Sequence, residues 1–326
     1  MTDPVRQIAD AVLYEGYILW PYRRSALKNQ QRWTFGGVYP PDWSAGHPDD
    51  PSLMQTQCLL ERDAEARVEV SVRFLHVVRR RICAPGGEFV DELTVDGERH
   101  VAWEEAAERE VALTLTVPVG GAATARVLVH VAADTSEEPL GAGAIVRSWR
   151  SLEGVVDARA EPVAPGVARV TARVLNATPV ETQTRGRALE QTFCSAHTVL
   201  RARDGAFVSQ TDPPAPLAEA AAGCRNVRTW PVLVGEQGAR DIVLSSPIIL
   251  EDHPRIAPES PGDLFDGGEV DQLLTLSILS MTEEEKREMR EADPRAREIL
   301  ERTEALSEEE LMRLHGAIRE FSAVRP

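Results

Sequence analysis

A two-residue alternation of apolar and polar side chains dominates the chain from residue 52 to residue 250. Between residues 68 and 78 an apolar residue occupies almost every second position, while polar residues such as Glu69 and Arg73 lie between them. Successive side chains of a β-strand point to opposite faces of the sheet, so this pattern predicts half-buried antiparallel strands. His76 falls in the apolar phase and is predicted to be a core residue.

Turn-forming sequences separate the alternating segments. Examples are Pro85-Gly86-Gly87 and Asp204-Gly205. Many short strands with such turns and few helices between them are typical of packed antiparallel sheets. We therefore expect a mainly β protein over residues 51–250, an antiparallel β-sandwich built as one large sandwich or as two tandem ones that divide near residues 135–165. The other predicted strands are 53–60, 111–117, 125–132, 144–150, 168–175, 192–202, 227–234 and 241–250.

The N-terminal segment, residues 1–50, concentrates aromatic and basic side chains. All four tyrosines and eight of the seventeen aromatic residues lie between Tyr14 and Trp43. Aromatic rings beside arginines are enriched at protein interfaces, but the same rings could fill a core beside the sheet, so the segment is predicted to pack on the sheet with its function left open. The candidate partner-binding residues are Tyr17, Trp20, Tyr22, Arg23, Arg24, Lys28, Arg32 and Trp33.

The periodicity changes after residue 250. Residues 251–268 are rich in proline and acidic residues and predict an extended linker. Residues 269–326 predict an acidic helical tail, because capping-box pairs such as Thr282 with Glu285 precede apolar residues at helical spacing. This tail has too small an apolar face to form a core alone, so we expect it to dock on the sandwich or on a partner.

The charge of the chain restricts its partners. The formal net charge is −16, which argues against nucleic-acid binding because that requires a basic surface. No apolar segment reaches the roughly 18 residues that a membrane-spanning helix needs, so no membrane insertion is expected. The N-terminus lacks the pattern of a secretory signal, and we expect the protein to be cytoplasmic.

Few residues suggest catalysis or metal binding. Cys194 and His197 form a Cys-x-x-His pair, with Cys224 downstream and His253 among carboxylates in the linker. In a regular strand, positions i and i+3 face opposite sides, so joint coordination by the first pair is not expected. We therefore predict no catalytic residue, no cofactor and no metal. The alternative is a metal-handling protein or a hydrolytic enzyme that uses these four residues.

Two segments carry a resemblance to a known family. They are VLYEGYILWPYRRSALKNQQRWTFGGVYP and IVLSSPIILEDHPRIAPESPGDLFDGGEVDQLLTLSILSMTEEEKREMREADPRA, with ARVTARVLNATP and NVRTWPVLVGE between them. They resemble an uncharacterised family encoded in the gene clusters of bacterial high-affinity nickel-iron uptake hydrogenases. The resemblance implies a context of hydrogen oxidation and of the maturation, assembly or support of a hydrogenase. Because the sequence also lacks catalytic motifs and its charge is unevenly distributed, we expect a non-catalytic accessory protein that supports hydrogenase assembly, maturation or docking, with hydrogenase subunits or maturation proteins as its partners. The resemblance implies no catalytic residues.

Overall fold

The computed structural model describes residues 6, 8–10, 13, 36–180, 182, 184–254, 281–283, 286–287, 290, 297, 300–301 and 303–305. The chain divides into two compact units, one formed by Met1–Tyr17 and Trp33–Pro254 and the other by Ile18–Arg32 and Arg255–Pro326. In the second unit, Glu304 pairs with Lys286 and with Arg290 at 3.2 and 2.6 Å. The candidate partner-binding residues of the N-terminal segment, and most of the predicted linker and tail, lie outside the described residues.

The first unit is built mainly of strands. Near its N-terminus, Arg6, residues 8–10 and Leu13 are helical. The helices in its other described residues are short: α1 (Pro41–Ser44), α2 (Arg185–Leu189) and α3 (Ala218–Ala222), with a 3₁₀ turn at Ala215–Leu217. No helix in the described ranges is long and apolar enough to cross a membrane. The strands are β1 (Leu53–Glu61), β2 (Ala66–Cys83), β3 (Phe89–Val90), β4 (Glu92–Val95), β5 (Glu98–Val101), β6 (Trp103–Val117), β7 (Ala123–Val131), β8 (Asp134–Leu140), β9 (Gly143–Trp149), β10 (Leu152–Ala164), β11 (Val167–Asn176), β12 (Cys194–Arg203), β13 (Ala206–Phe207), β14 (Trp230–Leu233) and β15 (Ile242–Ser246).

The strands form two large antiparallel sheets and a small hairpin. A five-stranded sheet has the order β13-β1-β11-β10-β7, and an eight-stranded sheet has the order β14-β15-β12-β2-β9-β8, with β3 and β6 also paired to β2. Strands β4 and β5 pair with each other. The predicted mainly β, antiparallel architecture is confirmed. Strand β2 is the longest and pairs with β6, β12, β9 and β3 at different points along its length.

One hydrophobic core joins the two large sheets. It includes Val70, Val72 and Phe74 of β2, together with buried residues of β1, β10, β11 and β12. The Phe74 ring stacks on Phe193 with 4.5 Å between ring centroids. The apolar phase predicted for β2 is therefore the face that points into the core, and it includes His76, which has no exposed surface. Beyond Phe74, no residue of β2 belongs to this core cluster.

Asn176, at the end of β11, ties three segments together inside the protein. Its Nδ2 donates hydrogen bonds to the carbonyl oxygens of Val38 and Gln191 at 2.9 and 2.8 Å. Its Oδ1 accepts a hydrogen bond from the backbone N–H of Thr178 at 2.8 Å. Asn176 is only 4% exposed, so water cannot replace these bonds.

We therefore expect Asn176→Leu to lower the free energy of unfolding by about 3 kcal/mol, because each buried polar group left without a partner costs about 1–3 kcal/mol. Urea denaturation measures this. Asn226→Leu is the matched control, because Asn226 Oδ1 accepts one hydrogen bond from the backbone of Gln57 in a partly exposed position. Equal losses in the two variants would show that Asn176 does not hold these segments.

Candidate functional site

A groove opens along one edge of β2, where the strand that pairs with this edge changes from β12 to β9. On this edge β12 pairs with β2 up to Leu75, which lies opposite Cys194. Pairing resumes with β9 at Arg79, which lies opposite Ser148. Among the described strands none pairs with residues 76–78 on this side, although β6 pairs with them on the other. The gap gives the eight-stranded sheet a concave site beyond the main core.

The groove has a volume of about 600 Å³ and is lined mainly by polar side chains. Arg79, Ser148 and Thr135 form one row across β2, β9 and β8, because each lies opposite the next in the strand pairing. Alternation along β2 places Arg81 on the same face as Arg79. We call this site the arginine groove; its lining residues are Val77, Arg79, Arg81, Ala133, Asp134, Thr135, Ser148, Trp149, Arg150 and Glu190.

A buried carboxylate organises two of the arginines. Glu190 follows α2, and its side chain is only 6% exposed. Its Oε1 lies 3.3 Å from Nη1 of Arg79, and its Oε2 lies 3.3 Å from Nε of Arg150. Both arginine side chains are about half exposed, at 49% and 52%. The two guanidinium groups are thus held around a carboxylate while they still face solvent.

Arg81 is held differently. Its guanidinium carbon lies 3.8 Å from the centroid of the Phe89 ring, in a cation–π contact. Stacking covers the face of the guanidinium and leaves the N–H donors at its edge available for an anion. Three arginines against Asp134 and Glu190 give the groove a net charge of +1, in a chain whose net charge is −16. The groove is therefore suited to bind an anionic group.

Trp149 forms a fixed wall of the groove. Its indole Nε1 donates a hydrogen bond to the carbonyl oxygen of Ala132 at 3.1 Å. The guanidinium of Arg109 lies 5.7 Å from the centroid of its ring. These two contacts orient the ring, so Trp149 offers apolar contact area beside the arginines.

His76 lies next to the groove but inside the protein. Neither of its ring nitrogens makes a hydrogen bond of good geometry with a described residue, although backbone groups of Arg150 and Glu190 lie near the ring. Burial, and then the charge of Arg109, lower the pKa of His76 from 6.5 to about 4, although backbone groups of Arg150 and Glu190 oppose the shift. The imidazole is therefore neutral near pH 7 and supports the groove without adding charge to it.

The sequence predicts that Cys194 and His197 lie on opposite faces of a regular strand, but in the structure they do not. A β-bulge lies between them, since Cys194 is opposite Leu75 and His197 is opposite Arg73, only two residues apart on β2. Both side chains therefore lie on one face of the sheet, and the expectation of opposite faces was wrong. In the structure the bulge is marked by Ser195, whose backbone φ angle of 51° lies in the left-handed region. Neither the alternation of the sequence nor the β-propensity of its residues indicated the bulge.

The two side chains are nevertheless engaged separately. The Cys194 thiol donates toward the carbonyl oxygens of Leu189 and Thr192 at 4.0 and 3.7 Å. The His197 ring lies with Nδ1 3.2 Å from the Ser195 carbonyl oxygen. Burial is the largest cause that lowers the pKa of His197 to about 4.

The other two residues of the metal alternative lie in different surroundings. Cys224 packs against an apolar cluster that includes Leu59 and Leu217. Beside His253, the Asp252 carboxylate accepts hydrogen bonds from the Leu233 backbone N–H and from the hydroxyls of Ser209 and Thr211. Among the residues that the structure describes, no three His, Cys, Asp or Glu side chains are grouped to hold a metal ion. Asp252 therefore has a structural role, fixing the loop that follows β15.

The arginine groove was missed by the sequence reasoning, although a signal was present. Residues 79–81 are three consecutive arginines in a chain that has only two lysines, and Arg147 and Arg150 follow in a neighbouring strand and its turn. The sequence gives no indication that these segments pair. No known protein-family profile matches the chain, and no curated protein sequence matches it.

Proposed function

We propose that this chain is a non-catalytic accessory protein that supports the assembly, maturation or docking of a nickel-iron hydrogenase through protein–protein contacts. The context comes from the two end segments of the sequence and their resemblance to proteins encoded beside uptake hydrogenases. The proposed partners are hydrogenase subunits or hydrogenase maturation proteins, and the proposed location is the cytoplasm.

The arginine groove is the observation that carries the proposal. It combines solvent-facing guanidinium groups with an oriented tryptophan, and interfaces are enriched in both residue types. Because the chain as a whole is acidic, a local excess of positive charge selects and orients a partner that presents acidic groups. Arg79, Arg81, Arg150 and Trp149 are the groove residues that we assign to the contact.

The N-terminal segment and the acidic helical tail are proposed as additional contact regions. Trp20, Arg23 and Arg24 represent the first, in which residues 14–40 carry four basic residues against one acidic residue. The linker and the tail together, residues 251–326, carry twenty acidic and ten basic residues, a net charge of −10. Regions of opposite charge in one chain can bind different faces of a multi-subunit partner.

The test is genetic complementation in the host. A strain that lacks this gene is complemented with the wild-type gene, with Arg81→Glu, or with Arg203→Glu. Arg203 is the matched control, because it is an exposed arginine at the opposite end of β12.

We expect Arg81→Glu to lower hydrogen-uptake activity about tenfold, since reversing one charge at a contact is worth about 1.4 kcal/mol or more. Arg203→Glu is expected to retain wild-type activity. Immunoblotting confirms equal amounts of each variant. Full activity of the Arg81→Glu strain, or of the strain without the gene, would contradict the proposal.

A further inference from the structure

The geometry of the arginine groove points to a specific ligand, and we infer that it binds a carboxylate side chain of an acidic protein segment in competition with the protein's own Glu190. This inference rests on the proposed function, since it names the chemical group by which a partner would be recognised. It also assigns Glu190 a role as an internal occupant of the site.

Two arginines of the groove already surround a carboxylate. Arg79 and Arg150 contact opposite oxygens of Glu190, each at 3.3 Å. Guanidinium groups match the planar, two-oxygen geometry of a carboxylate, so these two side chains are arranged for that group before any ligand arrives. Since both remain about half exposed, they can also reach an anion on the solvent side.

Arg81 has N–H donors that no described acidic side chain uses in an ion pair. Its contact with Phe89 fixes the plane of the guanidinium. No acidic side chain among the described residues forms an ion pair with Arg81, in contrast to Arg79 and Arg150. A ligand carboxylate can therefore take its first contact from Arg81, with the hydroxyls of Thr135 and Ser148 in the same lining.

The net charge of the groove matches one carboxylate better than one phosphate. The three lining arginines exceed the two lining acids by one charge. A single carboxylate neutralises that excess. A phosphate group, with a charge near −2 at neutral pH, would instead leave the groove with a net charge of −1.

Glu190 competes with the ligand because it uses donors that the ligand needs. Removing its charge while keeping its shape, as in Glu190→Gln, leaves Arg79 and Arg150 without their internal anion and raises the charge of the groove from +1 to +2. The variant should therefore bind an acidic segment more tightly. If Glu190 instead serves to position Arg79 and Arg150, the variant should bind the segment more weakly.

The experiment uses the full-length purified protein and fluorescence anisotropy at low ionic strength. The probes are a fluorescein-labelled hexaglutamate peptide with an amidated C-terminus and the same peptide made of glutamine. Unlabelled glutamine peptide with a free C-terminus, and inorganic phosphate, are added as competitors. The proteins are wild type, Arg81→Ala, Glu190→Gln and the control Arg203→Ala, each checked for folding by circular dichroism.

We expect wild type to bind hexaglutamate and not the glutamine peptide. Arg81→Ala should weaken binding about tenfold and Glu190→Gln should strengthen it about fivefold, while Arg203→Ala leaves it unchanged. Equal binding of both peptides, or stronger competition by phosphate or by the free C-terminus, would overturn the inference. So would a folded Glu190→Gln protein whose affinity is unchanged or lower. If Glu190→Gln does not fold, the Arg81→Ala variant and the glutamine peptide decide whether the groove binds a carboxylate.

The result is separable from the proposed function. If hexaglutamate does not bind but Arg81→Glu still abolishes hydrogen uptake in the host, the groove contacts a partner by other chemistry and only this inference fails. If hexaglutamate binds as expected but hydrogen uptake is normal without the gene, the ligand class stands and the hydrogenase role fails.

Discussion

Acidification from about pH 7 to about pH 5 is expected to lower the free energy of unfolding by about 4 kcal/mol, through two buried histidines. His76 and His197 are both neutral and fully buried, with pKa values lowered from 6.5 to about 4. Between pH 6.5 and about pH 4, the two histidines bind protons in the unfolded chain but not in the folded protein. Their contribution is fully present above about pH 6.5 and is lost as the pH falls toward 4.

Urea denaturation at a series of pH values measures this effect. His76→Leu should remove about half of the histidine contribution to the pH dependence, about 2 kcal/mol at pH 5. His130→Leu is the matched control, because His130 is exposed on β7 and should leave the dependence unchanged. A wild-type stability that stays flat from pH 7 to 5, or equal slopes in the two variants, would contradict the burial of these neutral rings.

Phe193→Ala is expected to cost about 4 kcal/mol of unfolding free energy, within the range for large aromatic residues removed from a core. Phe193 has no exposed surface and stacks on Phe74 at a centroid distance of 4.5 Å. Its ring also fills the space above Gly154, where a Cβ atom would lie 2.7 Å from Phe193 Cζ. The backbone of Phe193 pairs with that of Val38, which restrains it. The cavity left by the alanine substitution can therefore collapse only partly.

Thermal and urea denaturation measure the loss, with Phe89→Ala as the control. Phe89 is 50% exposed, so its removal is expected to cost less than about 1 kcal/mol. If the two alanine variants lost similar amounts of stability, Phe193 would not be the central contact between the sheets.

The local pattern of the sequence predicted the strands whose alternation is regular. Along β2 the predicted alternation holds from Ala66 to Ser71, and His76 is buried as predicted. From residue 72 to residue 78 every side chain is buried, so the prediction of a half-buried strand was wrong there. Strand β10 was not predicted, although it pairs with both β7 and β11. Its sequence contains Gly154 and Pro162, which disfavour a central strand, and its pairing shifts register near Pro162.

The candidate site could not be predicted for a different reason. The groove exists because β12 and β9, far apart in sequence, pair with successive parts of one edge of β2 and leave residues 76–78 between them. Glu190 reaches Arg79 across more than a hundred residues of sequence. Alternation predicts which face of the sheet each side chain occupies, but it does not predict the register between strands. The proximity of these residues therefore could not be inferred from the sequence. The β-bulge at Ser195 could not be predicted for the same reason, because it shifts the register of β12 against β2.

We propose that the arginine groove binds an acidic partner of the hydrogenase system. The most direct measurement is affinity purification of tagged wild type, Arg81→Glu and Arg203→Glu from host cells grown under hydrogenase-inducing conditions, followed by mass spectrometry at low and high salt. Hydrogenase subunits or maturation proteins should co-purify with wild type and Arg203→Glu at low salt. Their recovery should fall at high salt, which screens exposed ionic contacts, and with Arg81→Glu at either salt concentration. Equal recovery of these proteins with Arg81→Glu, or their absence from the wild-type sample, would contradict the claim.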